Sequence, residues 1–253
     1  MKIRVEKSAT IITPTVDSAY LINCIESVQN QTYKNLTHLL VADGPEYYDG
    51  IQSSWLNSNG HNIPVKFTFS PENTGANGFY GHRIYAAYPH LINSDYVLFL
   101  DEDNWLEPNH VETLIKTIET QNLDWSYSLR NIFTRERIFV AEDCSESLGK
   151  WPIHWSTPEK SEYLVDTSSY CFKREFLIQV CQHWHSGWGG DRRFYHIISK
   201  IMNHTNYNTS GHHTLNYRLD DNLVKKYGST DFFTVGNEVV KQRHGGSYPW
   251  SPV

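Results

Sequence analysis

Tyr96-Val97-Leu98-Phe99-Leu100 runs straight into Asp101-Glu102-Asp103-Asn104. Five apolar residues in a row suit a strand buried on both faces of a sheet. Three acids directly after such a strand repel one another unless a cation offsets their charge. Carboxylates one residue apart fit Mg²⁺ or Mn²⁺, hard ions that bind oxygen and keep coordination places for phosphate. A solvated acidic turn is the simpler reading of the same letters, so the flanking sequence has to decide.

Upstream, strand and helix signals alternate. Ser8 to Thr13 is a short β-rich run, and Asp17 stands where it can cap a helix carrying Leu21, Ile22, Ile25 and Val28. Thr37 to Ala42 reads as a second buried strand, Glu46 to Leu56 as a weaker helix, Val65 to Phe69 as a third strand and Asn77 to Leu91 as a helix. Downstream, Pro108 sits near the start of a helix through Ile118, and Trp125 to Leu129 is a fifth strand. This order predicts the α/β class: a Rossmann-like, mostly parallel sheet with helices on both faces. Ligands of such sheets bind beyond the carboxyl ends of the strands. That rule selects Thr13-Pro14-Thr15, Asp43-Gly44, Asn73-Thr74-Gly75 and Asp101-Glu102-Asp103.

Past residue 130 the regularity fades. Asn131 to Val140 looks like a hairpin, and Trp151, Pro152, Trp155 and Pro158 mark a loop-rich region. Asp166 to Phe172 reads as a strand, Arg174 to Trp184 and Arg192 to Met202 as helices, with Gly187-Trp188-Gly189-Gly190 leading into Asp191. No repeat or linker divides the chain, so one domain over 1–253 is expected.

Composition narrows the function classes. The chain has 253 residues, 39% of them hydrophobic, with a formal net charge of −6. That charge argues against nucleic acid as a partner. It leaves room for a nucleotide, whose phosphates one metal ion can neutralise. Cys24, Cys144, Cys171 and Cys181 form no CxxC pair and read as reduced, buried thiols. The opening MKIRVEKSATIITPT has no signal-like apolar core, and no apolar run could span a bilayer. A cytoplasmic protein without a transmembrane segment is expected, with peripheral membrane contact left open. The sequons at Asn30, Asn35, Asn203 and Asn208 read as chance.

Five segments, in order, resemble glycosyltransferase family 2, which has the GT-A fold. They are Ile11-Ile12-Thr13-Pro14-Thr15; Ser27 to Tyr33, similar to S-x-x-x-Q-T; Val41-Ala42-Asp43-Gly44, similar to V-V-D-D-G; Asn73-Thr74-Gly75 with Arg83, similar to N-x-G…A-R; and Phe99 to Asp103 through Pro108, similar to F-L-D-x-D-D…P. Gly44 and Asn104 stand where many members carry further acids. The resemblance implies an inverting, metal-dependent transfer of a sugar from a nucleotide-sugar, a UDP-sugar by the family's usage, to an acceptor hydroxyl on a glycan, a lipid-linked sugar or a protein. It implies a nucleotide-sugar half at 1–130, with Thr13, Pro14, Thr15, Asp43, Asn73, Gly75, Arg83, Asp101 and Glu102 near the donor. The acceptor side falls at 131–253. Asp103 and Asp101 would hold Mn²⁺ or Mg²⁺, and a late histidine, His213 ahead of His212 or His244, would join them. Asp191 is expected as the catalytic base, although Gly190 stands where the family places Glu; Asp166 and Asp143 are alternatives. Trp184, Trp188, Trp151 and Trp155 fall on the acceptor side, Trp188 being suited to stacking on a sugar ring.

Two rivals remain. A sugar-phosphate nucleotidyltransferase shares the sheet and the acids, but Thr13-Pro14-Thr15-Val16-Asp17 lacks the glycines and bases that would hold a triphosphate. A relative that binds nucleotide or glycan without turnover is kept alive by Gly190.

Overall fold

The structure, a computed structural model, describes residues 6–157, 159–219 and 230–251. Pro158 and the first five residues of the N-terminal segment lie outside the described residues. The first half holds β1 (Ala9–Thr15), α1 (Leu21–Gln29), β2 (Leu36–Ala42), α2 (Tyr48–Asn57), β3 (Val65–Phe69), α3 (His82–Ala87), β4 (Tyr96–Phe99), a short β5 (Trp105–Leu106), α4 (His110–Gln121) and β6 (Trp125–Phe133). The second half adds β7 (Phe139–Glu142), β8 (Tyr170–Lys173), α5 (Arg174–Val180), α6 (Gly190–His196), β9 (Tyr207–Arg218) and α7 (Asp231–His244).

The strands form one sheet in the order β3-β2-β1-β4-β8-β6-β9-β5, with β7 paired to β6. β1 to β4 are parallel, β6 and β9 are parallel, and β8 is antiparallel to both β4 and β6. Chain order reverses at β1, between β2 and β4, which places a crevice at the carboxyl ends of β1 and β4.

The continuous apolar run of β4 follows from burial on both sides. Val97 and Phe99 join Ile12 of β1 against Tyr85, Leu177, Trp184 and Phe194. Tyr96, Leu98 and Leu100 join Ile11 against Cys24 and Val28 of α1 and Leu114 and Ile118 of α4. The first of these cores is built from rings. Trp125 stacks on Tyr207 at 4.0 Å between centroids, and Trp184 on Phe194 at 4.3 Å. All four cysteines are buried free thiols.

Several elements differ from the sequence reading. Asp17 is not a helix cap: α1 begins at Leu21 without a side-chain cap, and Asp17 instead accepts a hydrogen bond from Ser54 Oγ at 2.9 Å. The helix expected from Asn77 begins only at His82, because Asn77, Gly78 and Tyr80 take positive φ and form turns. The fifth strand and the first arm of the hairpin are one strand, β6. β9 is twelve residues long, and α7 was not foreseen. Gly236 interrupts the apolar pattern of α7, and a Cβ there would fall 2.8 Å from His154 Nδ1.

Candidate active site

Asp101 follows β4, where the apolar run meets the crevice. Its Oδ1 accepts from Tyr85 Oη at 2.7 Å and its Oδ2 from Ser168 Oγ at 3.2 Å, while its own N–H donates to Ser168 Oγ. Burial, and then the charge of Asp166, push its carboxyl up to about 6. Asp103 is half-buried, and burial followed by Asp101 and Glu102 pushes it up to about 7. Among the described residues no side chain donates to its carboxylate. The loop that carries it is clamped by Arg218, whose Nε donates to the Asp103 carbonyl at 2.9 Å and whose N–H donates to Asn104 Oδ1.

Glu102 points elsewhere. It accepts from Thr15 Oγ1, Val16 N and Ser18 N, which fastens the β1–α1 loop to the acidic turn. Thr13 is fully buried and meets His38 Nε2 at 2.9 Å, so its hydroxyl faces the core and not the crevice. Pro14 packs against Gly81, where a Cβ would fall 2.7 Å from Pro14 Cγ. Asp43 is buried and holds the Asn73–Gly75 loop: Oδ1 accepts from Ser70 Oγ, Thr74 N and Thr74 Oγ1, and Oδ2 from Gly75 N at 2.7 Å. Asn73 Oδ1 accepts from Ala76 N, and Arg83 reaches the Thr74 carbonyl while its guanidinium lies 3.6 Å from the Phe79 ring centre. Gly44 has φ +127, a backbone that a second acid there would strain.

The candidate residues of the second half converge from loops. A cleft of about 460 Å³ is lined by Asp101, Asp166, Asp191 and Arg130 together with Trp155 and Trp188. Gly189, at φ +76, turns the chain into α6 and sets Asp191 in its first turn. Asp191 Oδ1 accepts from Arg192 N at 2.7 Å; Oδ2 has no hydrogen-bond partner among the described residues. Burial, then the charge of Asp166, raises its carboxyl above the usual range. Gly190 leaves room for His82. A Cβ at Gly190 would lie 2.6 Å from His82 Cε1, so the ring occupies the volume a glutamate would need. His82 Nδ1 bonds the Ser186 carbonyl at 2.7 Å; a carbonyl only accepts, so Nδ1 carries the proton.

Asp143 and Asp166, the alternative bases, are held by Arg130, as is Glu146. Arg130 Nε, Nη1 and Nη2 meet Asp143, Asp166 and Glu146 at 2.7, 2.8 and 2.6 Å, all buried. Arg192 adds a second contact to Glu146 at 3.2 Å. This network escaped the sequence reading, since its members lie far apart in the chain and only Arg130 alternating inward on β6 hints at it.

His213 is not brought to the acids. It lies opposite Leu129 and lines a separate cavity of about 350 Å³ with Glu142, Cys144 and Tyr248. Trp184 is core and Trp151 packs on Trp250, whereas Trp188 is 63% exposed and Trp155 37%. Among the described residues no cluster of three or more His, Cys, Asp or Glu side chains is assembled for a metal. Asp101 and Asp103, one residue apart on the turn after β4, offer two carboxylates and not a complete ligand set. No described helix is long and apolar enough to cross a membrane.

The likeness to known proteins agrees with this layout. Glycosyltransferase GlyA of Streptococcus pneumoniae serotype 4 is 30% identical over 121 residues, 47% of this chain and 16% of GlyA. Glycosyltransferase GlyG of the same organism is 22% identical over 216 residues, 76% of this chain and 66% of GlyG. Among solved structures, S. aureus TarS 1–349 in complex with UDP superposes with a TM-score of 0.60 at 13% identity, covering 90% of this chain and 65% of that one. The complex of the same protein with UDP-GlcNAc gives 0.59 at 13% identity, covering 85% and 59%. The chain thus spans less than two thirds of each of these relatives, and the superposition establishes a GT-A fold. The family model for Glycosyl transferase family 2 matches residues 10–140, just over half of the chain, from β1 through the acidic turn into the hairpin. With the fold, the motif order and that match in agreement, the chain belongs to glycosyl transferase family 2.

Proposed function

We propose that the chain transfers a sugar from a nucleotide-sugar, a UDP-sugar, to an acceptor hydroxyl with inversion at the anomeric carbon. The observation that carries this reading is the shared cleft: Asp101, from the end of β4, and Asp191, from the start of α6, line the same space. One belongs to the donor half and the other to the acceptor half of the chain. The complexes of TarS with UDP and with UDP-GlcNAc support the choice of base.

Asp103 and Asp101 hold a divalent cation in this reading; when bound it supplies positive charge to the departing diphosphate. Tyr85 and Ser168 orient the Asp101 carboxylate, and Arg218 fixes the turn beneath Asp103. Asp43 shapes the Asn73–Gly75 loop that borders the nucleoside. Asp191 takes the acceptor proton through its Oδ2, unpartnered among the described residues, and burial, which raises its pKa, makes it a stronger base than a solvated carboxylate. The acceptor oxygen then forms the new bond to the anomeric carbon while the bond to the diphosphate oxygen breaks.

A thermal-shift screen with UDP, GDP, dTDP and CMP, each with and without Mn²⁺, tests the nucleotide end. A ligand at 100 times its Kd stabilises the native state by about 2.7 kcal/mol. Stabilisation by UDP with Mn²⁺, and release of UDP from a UDP-sugar by wild type, are expected. Silence towards all four nucleotides refutes the reading. Binding of UDP without turnover returns the chain to the non-catalytic rival.

A further inference from the structure

We infer that His82 is the positioning residue of the proposed base: its ring, carried by the first half of the chain, grips the bend from Ser186 to Gly190 through which Asp191 enters α6. The inference rests on the functional reading above, since it says how the base of that reading is held.

The bend itself is loosely specified. Gly187, Gly189 and Gly190 are three of the five residues from Ser186 to Gly190, and Gly189 takes φ +76. Glycine restricts the backbone least, so the sequence of the bend leaves the direction of Asp191 open. His82 closes it at both ends. Its Nδ1–H donates to the Ser186 carbonyl at 2.7 Å. The ring also lies against Gly190, where a Cβ would fall 2.6 Å from Cε1 and 2.7 Å from Nδ1. One ring thus touches the residue that opens the bend and the residue that ends it, and the second is the neighbour of Asp191.

The ring is fixed from outside the bend. His82 is buried at the start of α3, and Gly81 before it abuts Pro14 of β1. Trp184, fully buried and stacked on Phe194 of α6, stands 5.7 Å from the His82 ring between centroids. Further contacts run alongside. Phe79 meets the His185 ring at 5.6 Å, and a Cβ at Gly187 would stand 3.2 Å from the Gly78 carbonyl. The turn leading to His82 starts at Thr74 and Gly75, which Asp43 holds, so β2 and the start of α6 are joined through this ring. Packing alone would be served by any side chain of similar volume. The bond to Ser186 demands a donor two bonds from Cβ.

Two variants of nearly equal size separate the bond from the volume. Asn carries an amide nitrogen two bonds from Cβ, as His carries Nδ1, and Leu carries a methyl group there. Amide hydrogen exchange read by mass spectrometry reports on the bend in the whole chain without ligand. In His82→Leu, residues 185–191 should exchange about fivefold or more faster with α4 unchanged, and His82→Asn should return them to within about twofold of wild type. Release of UDP from UDP-glucose, UDP-galactose and UDP-GlcNAc with Mn²⁺ reports on the reaction. On whichever of these the wild type turns over, kcat should fall about tenfold or more in His82→Leu with the donor KM within about twofold, and His82→Asn should recover most of the loss. Where His82→Leu does not fold, His82→Gln, whose amide nitrogen lies three bonds from Cβ, takes its place. The inference is overturned if the bend exchanges alike in wild type and His82→Leu, if His82→Asn is as impaired as His82→Leu, or if KM rises as much as kcat falls. A wild type that releases UDP from none of the three counts against the functional reading instead, and the exchange comparison still decides whether His82 holds the bend.

Discussion

Gly190→Ala adds one methyl group directly before the proposed base, and the structure sets its effect. Gly190 does not need its conformational freedom, since it sits in the first turn of α6 at ordinary helical φ. On propensity alone, alanine there would stabilise by up to about 1 kcal/mol. The new Cβ would instead lie 2.6 Å from His82 Cε1 and 2.7 Å from Nδ1, inside the normal contact distance. The ring must retreat, and its 2.7 Å bond to the Ser186 carbonyl is stretched or lost. Overpacking costs about 1–3 kcal/mol, and a broken buried hydrogen bond about 1 kcal/mol more. The net expectation is destabilisation by about 1–3 kcal/mol, a fall in Tm of roughly 2–10 °C for a domain of this size. Asp191 moves with the helix start, so kcat should fall about tenfold or more, a misplacement of 1 Å costing on the order of 10²-fold. His82→Ala clears the volume. In the double variant the two effects should therefore not add, with a coupling of about 1–3 kcal/mol by urea denaturation. A Gly190→Ala protein as stable and as active as wild type would refute the account of why glycine precedes the base.

The other expectations follow from the same geometry. Asp191→Asn should lower kcat by about 10²–10⁴-fold while UDP binding with Mn²⁺ persists; equal loss of both in calorimetric titration would remove Asp191 from the base role. Asp103→Ala should abolish the Mn²⁺-dependent part of UDP stabilisation in thermal shift, and an intact Mn²⁺ effect would place the ion elsewhere. Arg130→Met leaves Asp143 and Asp166 buried without their cation and should destabilise by about 3–5 kcal/mol, measured as a lower urea midpoint; a change under about 1 kcal/mol would mean the carboxylates find water or protons cheaply. His38 and His110 are buried neutral, with burial pushing each down to about 3. Below about 6.5 the unfolded chain binds protons that the native chain refuses, so stability is full above that pH. It then falls by about 1.4 kcal/mol per unit for each histidine as pH drops towards 3. His38→Gln should flatten urea midpoints measured between pH 7 and 5, and an unchanged slope would clear His38.

The first half was legible because its signals are local. β1, β2 and β4 are short, largely apolar runs buried on both faces, β3 is an alternating strand at the sheet edge, and each ends in a polar cluster that the parallel topology must carry to one edge. The errors there came from backbone that no side-chain pattern announces. Asn77 and Tyr80 take left-handed φ, so the apolar residues Phe79 and Tyr80 imitate a helical stripe over a turn. Asp17 has the chemistry of a cap but is drawn to Ser54 on α2, a tertiary contact that outbids the local one. The candidate donor residues divide for the same reason. Glu102, Thr13 and Asp43 were read as facing ligand because they sit at strand ends, yet each spends its polar atoms holding a loop or the core.

The second half could not be read this way, because what matters there is decided between segments distant in sequence. Nothing local distinguishes Trp184 from Trp188, four residues apart. One stacks on Phe194 inside the core, and the other reaches the cleft because Gly187 and Gly189 flank it. Arg130 gathers Asp143, Glu146 and Asp166, so of the three carboxylates considered for the base only Asp191 keeps an oxygen, Oδ2, that no described residue claims. Selection of a base by elimination is a property of the folded network. A sequence can nominate three acids for the proposed task, but which of them keeps an unclaimed oxygen depends on where one buried guanidinium falls.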